Sequence, residues 1–299
     1  MAASVRQRLL YIARADGRPF NEVLQYFAME RFLYRLGESP HGRKFILKGA
    51  LMLVAWKTPL SRATKDIDLL GRTRNNIADI ASAIRSACSQ AVAPDGLLFD
   101  GKSVNAERIA EDADYHGVRV RFRGALGTAR VTMQIDVGFG DPIVPGPVEV
   151  NYPTLLDLPA PRLLGYSRES AIAEKFQTMV KLGILNSRLR DFFDIWLLSR
   201  QFEFDGQILT DAIRKTFAQR ETEIPSNPVA FSKEFSEDQG KISQWRAFVR
   251  KNLLHASPKE LREVVLDLSL FLGPVVSALV SGKSLQKRWI STGPWIDIG

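Results

Sequence analysis

The chain has 299 residues, of which 45% are hydrophobic and 25% charged. That composition excludes a disordered, collagen-like or fibrous protein and leaves a soluble globular one, long enough at roughly 150 residues per domain for two domains. With 41 Lys and Arg against 33 Asp and Glu the net charge is +8, a balance that attracts polyanions, nucleic acid first and an anionic membrane surface second.

The N-terminal MAASVRQRLLYIARADGRPF has no continuous apolar core and no small-residue cleavage site, so no secretory signal is expected. Residues 4–36 carry two helical patterns separated by ADGRPF, and SPHGR (39–43) reads as a loop. KFIL follows, then Lys48-Gly49-Ala50 and an apolar helix-like run that stops before Thr58-Pro59. TKDIDLL (64–70) alternates in strand fashion, and a helix is expected over about 75–91. That helix holds the chain's one cysteine, Cys88, which reads as core and excludes an intramolecular disulfide or a Cys-rich zinc site. After turn-rich residues come two strands, GVRVRFRG and ARVTMQIDVGF, joined by GALGT.

The character changes near residue 150. NYPTLLDLPAPRLLG is a Pro-rich connection, and everything beyond it reads as helices, with long loops near 221–229 and 284–299. The expected fold is α/β: a mixed sheet with flanking helices over residues 1–155, followed by a helical domain over 156–299. The most apolar stretch, VVLDLSLFLGPVVSALV, contains Asp267 and is interrupted by Gly273-Pro274, so it is expected to form a buried helix hairpin and not a membrane span. A cytoplasmic protein is the expectation.

Asp66 and Asp68 lie one residue apart in TKDIDLL. Side chains two apart on a strand share a face, so both acids project together while Ile67 enters the core. Two carboxylates this close repel unless a cation lies between them, and a divalent metal removes the conflict. In VTMQIDVGF, Asp136 shares the polar face with Thr132 and Gln134. If that strand neighbours the first, a three-carboxylate site of Asp66, Asp68 and Asp136 for two metal ions results. Upstream, Gly49 before a helical run lets backbone N–H groups approach a phosphate, although a small residue for close packing explains it too. Arg119, Arg121 and Arg123 share one face of GVRVRFRG, on the side onto which Asp136 opens; such a row suits RNA phosphates, or else protects a solvated edge strand. His41, His116 and His255 are too scattered to be ligands or a triad.

The stretches FILKGALML and SRATKDIDLL, the later MQIDVGFGD, and ESAIAEKFQTMVKLGILNSRLRDFFDIWLL (169–198) closely resemble the AbiEii/AbiGii-type nucleotidyltransferase toxins, including the MenT-like branch, within the DNA polymerase β-like nucleotidyltransferase superfamily. The resemblance covers roughly residues 40–200. It implies that Asp66 and Asp68 bind Mg²⁺ or Mn²⁺ and the triphosphate of an NTP substrate. It makes Asp136 the third acid and gives Lys48, Gly49 and Ala50 the phosphate-holding turn, with Thr64 beside the nucleotide. One departure is that the family has Gly-Ser or Gly-Gly nearer the acids, whereas Ala50 has no hydroxyl to offer and fifteen residues separate it from Asp66.

In AEKFQTMVKLG the residues Ala173, Phe176, Gln177 and Val180 form a stripe from which Lys175 falls away; by resemblance Lys175 contacts the triphosphate. Asn186 or Ser187 is expected to cap the next helix, whose Asp191 and Asp194 share a face. Salt bridges to Arg188 and Arg190 explain those acids without a function, while the resemblance assigns Asp191 to the active site and Asp194 to nucleotide binding.

The resulting expectation is a toxin that transfers a nucleotidyl group from an NTP to an acceptor, preferably the 3′ end of tRNA, and whose antitoxin is a separate chain. The alternative is a catalytically inactive module of the same fold that binds RNA or protein. A glycosyltransferase with a D-x-D site lacks support from Gly49 and the helical motif. A phosphate added at Ser61 or Thr64, beside the acids, is expected to block the site.

Overall fold

The computed structural model describes residues 1–58, 64–109, 117–252 and 258–298. Ser61, His116 and His255 lie outside the described residues. The chain divides into two compact units: the described residues within Met1–Lys57, Ala63–Gly140 and Val148–Gly165, and those within Thr58–Arg62, Asp141–Pro147 and Tyr166–Gly299.

The first unit opens with α1 (Ala2–Ala15) and α2 (Phe20–Glu38), then β1 (Phe45–Lys48), α3 (Ala50–Ala55), β2 (Asp66–Gly71) and α4 (Ile77–Cys88). It continues with β3 (Leu97–Ile109), β4 (Gly117–Leu126), β5 (Ala129–Phe139), β6 (Val148–Asn151) and β7 (Arg162–Gly165). The seven strands form one mixed sheet in the order β3-β4-β5-β2-β1-β7-β6, with β2 parallel to β5 and antiparallel to β1. The mixed α/β fold expected from the sequence is therefore present. Alternation decides which sheet face is buried: Ile67, Leu69, Val118, Val120, Met133 and Ile135 are buried, while the residues between them stay partly open. Phe32 of α2 meets Phe99 and Phe122 at centroid distances of 5.7 and 5.1 Å, and each fully buried ring of this kind contributes about 1.5–3 kcal/mol. Asn76 caps α4 by accepting the N–H groups of Ala78 and Asp79, which gives that helix its sharp start.

The second unit contains α5 (Arg168–Leu182), α6 (Leu189–Gln201), β8 (Phe204–Asp205), α7 (Gly206–Gln219), α8 (Lys233–Glu237), α9 (Gln239–Lys251), α10 (Leu261–Val280), β9 (Lys287–Trp289) and β10 (Trp295–Asp297). Its core includes Phe176, Phe192, Phe193, Phe217 and Trp245, and β8, β9 and β10 form a small sheet at its C-terminal part.

Four expectations are corrected. First, α10 is one helix that runs through Pro274 and not a hairpin. Proline deprives the carbonyl four residues back, that of Leu270, of its helical partner, and Leu270 is 67% exposed, so water can replace the lost bond. Apolar spacing on either side keeps Leu268, Phe271, Leu272, Val275 and Val276 in one buried stripe. By length and composition α10 is long and apolar enough to cross a membrane, and 39% of its most apolar window is buried inside the protein.

Second, the chain beyond residue 150 is not all helical. RLLG forms β7 beside β1, and the tail folds into β9 and β10. Strands this short carry no period to read. Third, the turn-rich span before β4 holds β3, a long edge strand with a bulge between Asp100 and Asn105, whose mostly exposed surface hid it; β4 is consequently interior to the sheet and not an edge. Fourth, the residue at the start of α6 is Arg188, which has no side-chain cap. Asn186, fully buried, instead accepts the Arg188 N–H at 2.7 Å as a turn ahead of the helix.

Candidate active site

Strand register builds the site in the first unit. Lys48 on β1 stands opposite Asp68 on β2, Asp68 opposite Asp136 on β5, Asp136 opposite Arg119 on β4, and Arg119 opposite Glu107 on β3. These five residues form one row across five strands, on the face away from the buried core. Two adjacent carboxylates thus sit between a lysine and an arginine, which is how the fold tolerates like charges side by side. The next row pairs Asp66 with Gln134 and Gln134 with Arg121. The sheet therefore brings Asp66, Asp68 and Asp136 to one face.

Gly49 shapes the Asp68 end of the row. It has φ +71°, and a Cβ there would lie 1.9 Å from Asp68 Oδ2, so only glycine lets the turn after β1 lie against that carboxylate. Ala50 is buried at the start of α3, its methyl contributing packing in place of a hydroxyl. Thr64 donates its N–H to Tyr26 Oη at 3.1 Å and its hydroxyl to the Asp66 carbonyl at 3.4 Å, bracing the entry to β2. Gln25 braces the same end by donating to the carbonyls of Lys65 and Thr132.

Asp136 is held by its neighbours. Arg119 donates Nε to Oδ1 and an Nη to Oδ2, both at 2.8 Å, a two-pronged fork, and Gln134 adds a longer bond to Oδ2 at 3.4 Å. Gln134 accepts from Arg121 at 3.1 Å, and Arg121 also pairs with Glu107 at 2.5 Å; Arg123 pairs with Asp100 at 3.0 Å. The arginines share a face, as the sequence predicts, but each faces a carboxylate. The row is a ladder of ion pairs and not a bare basic stripe. Among the described residues no group of three or more His, Cys, Asp or Glu side chains is gathered to hold a metal ion. Asp66 and Asp68, two hard oxygen donors on one face, suit a divalent cation that keeps much of its water, while Asp136 is turned to Arg119.

In the second unit, Ser167 caps α5 by accepting the Ser170 N–H, and Lys175 on that helix reaches α6. Its Nζ lies 2.8 Å from Asp194 and 3.6 Å from Asp191. Asp194 is fully buried and Lys175 is 13% exposed, so the acids of α6 are drawn to Lys175 from another helix. Beside them, Arg220 binds Asp141 at 2.8 Å and accepts company from Gln177 and Glu174, tying the segment after β5 into the helices.

The sequence reading missed the forking of Asp136 by Arg119. The signal was available: Arg119 and Asp136 stand equally far from the two-residue turn Gly127-Thr128, so a regular hairpin must oppose them.

A mixed sheet with flanking helices, a glycine turn against a strand with paired acids, and a third acid on the neighbouring parallel strand define a nucleotidyltransferase. The model of the nucleotidyl transferase AbiEii toxin family, of type IV toxin–antitoxin systems, matches residues 31–266, and the chain belongs to that family. Two solved structures share the fold. A putative nucleotidyltransferase from H. pylori is 18% identical with a TM-score of 0.50, covering 88% of this chain and 97% of its own. MenT4, a nucleotidyltransferase toxin from Mycobacterium tuberculosis H37Rv, is 17% identical with a TM-score of 0.51, covering 95% and 99%. No curated protein matches the chain.

Proposed function

We propose that this toxin nucleotidyltransferase transfers a nucleoside monophosphate from an NTP to the 3′ end of tRNA in the cytoplasm, and that a separately encoded antitoxin relieves the resulting block on translation. The observation that supports a transferase most directly is the row in which Asp68 and Asp136 lie side by side between Lys48 and Arg119, with Asp66 on the same face. The acceptor hydroxyl oxygen attacks the α-phosphorus, the bond to the β-phosphate oxygen breaks, pyrophosphate leaves, and the hydroxyl proton passes to a carboxylate, for which Asp136 is our choice. Catalysis of this kind is positioning and charge neutralisation. Asp66 and Asp68 would hold Mg²⁺ or Mn²⁺, which when bound neutralises charge on the triphosphate. Lys48 and the Gly49 backbone offset and approach phosphate oxygens, and Lys175, set by Asp194 and Asp191, is a further proposed nucleotide contact. The net charge of +8 supports a polyanionic acceptor.

A second reading, a catalytically inactive module that binds RNA or protein, is favoured by one observation: Asp136 is already committed to Arg119. Incubating the purified protein with total RNA and each labelled NTP, with and without Mg²⁺, separates the two. Metal-dependent labelling of a tRNA-sized band is the expected result. Salt-sensitive RNA binding with no labelling under any NTP would favour the module.

A further inference from the structure

Register gathers three acids, yet their side chains form no metal-binding cluster, and the reason on the page is Arg119. Its fork occupies both oxygens of Asp136, and the pair is partly shielded, with side-chain exposures of 21% and 19%. An arginine fork fits a carboxylate and a phosphate equally well, since both present two oxygens in a plane. The pair is neither so exposed that it forms and breaks freely nor so buried that exchange must strand a charge in an apolar core. The other members of the row do not compete for the guanidinium: Glu107, its neighbour on β3, turns to Arg121, and Gln134 links Arg121 to Asp136.

We propose that Arg119 is a positioning residue that holds Asp136 away from the other two acids in the resting protein and exchanges it for a phosphate group when nucleotide arrives, freeing Asp136 to join Asp66 and Asp68. The proposal rests on the reading of those acids as the nucleotidyl-transfer site. It assigns Arg119 to the nucleotide and to the third acid, in place of the RNA contact that its position in an arginine row implies. Metal affinity and nucleotide affinity are coupled through this one side chain.

Mn²⁺ alone, followed by its paramagnetic resonance signal as the free ion disappears, tests this without reference to activity. Arg119→Ala should bind Mn²⁺ at least about threefold more tightly than the wild type, and the gain should vanish when the same change is made in Asp136→Asn, as a double-mutant cycle requires of a coupled pair. Arg121→Ala removes the same charge two residues away and should leave Mn²⁺ affinity unchanged. Arg119→Gln, closer in shape, serves if the alanine variant melts early, and Arg119→Lys should restore weak Mn²⁺ binding only in part. The proposal is overturned if Arg119→Ala and Arg119→Gln bind Mn²⁺ no tighter than wild type, or if the gain persists in Asp136→Asn, since charge removal alone then explains it. If Asp66→Ala binds Mn²⁺ as well as wild type, the metal-site reading falls and takes the proposal with it, an outcome distinct from failure of the cycle alone.

Discussion

At the residue scale, two like charges are tolerable because of what stands opposite them. Asp66, Asp68 and Asp136 were legible from the sequence because strand alternation has a period of two, and one polar face follows from a handful of buried neighbours. The fork of Arg119 on Asp136 was harder to see, since a list of residues shows charge without partners, and only the hairpin register supplies them. Gly49 sharpens the same point. A methyl group at this position meets both a positive φ and the Asp68 carboxylate, so Gly49→Ala should cost about 1–3 kcal/mol and abolish nucleotide labelling, measured by urea unfolding and by incorporation. Away from the site, Glu30 is buried on α2, accepting the Leu155 N–H at 2.7 Å with Arg31 alongside at 3.1 Å. Burial pushes its carboxyl up to about 7, against the opposing pull of the Leu155 amide and Arg31. The folded state therefore holds this proton more tightly than the unfolded chain, so the Glu30 contribution is complete below about pH 4.5 and is lost as pH rises through about 7. Wild type should lose about 2 kcal/mol from this group between about pH 5.5 and pH 8, and Glu30→Gln should flatten that slope in pH-dependent urea titrations.

At the element scale, helices and hairpins with a strong period were readable, and short or exposed elements were not. The β4–β5 hairpin and α4 lie close to where alternation and the Asn76 cap put them. The continuity of α10 was hidden because Gly273-Pro274 is a breaker by type, while its tolerance depends on the solvent exposure of Leu270, which no local pattern states. For α6, the sequence offers Arg188 and Arg190 as nearby partners for Asp191 and Asp194, but the lysine that reaches them comes from α5. Removing that lysine leaves a fully buried carboxylate without its nearest cation. Lys175→Ala should therefore destabilise the protein by about 3 kcal/mol, whereas Lys175→Ala combined with Asp194→Leu should recover much of it, as read by urea unfolding. If the double variant is no more stable than the single one, the pair is not what holds α5 to α6.

At the scale of the whole molecule, the family match extends over residues 31–266 and so spans both the sheet with its charged row and the helices that carry Lys175, Asp191 and Asp194. Three ordered motifs made that membership visible in the sequence. The assignment of β6 and β7 to the first sheet was not visible, because four-residue strands in a Pro-rich connection set no pattern that tertiary pairing could not override. The account as a whole turns on the acids of β2 carrying nucleotidyl transfer. The most direct measurement is incorporation of labelled nucleotide into tRNA by wild type and by Asp66→Ala, with circular dichroism showing that both are folded. The account predicts metal-dependent labelling by wild type and loss of at least about a thousandfold in the variant, as expected when electrostatic stabilisation of the transferring phosphoryl group is removed. Labelling by folded Asp66→Ala at the wild-type rate would contradict it.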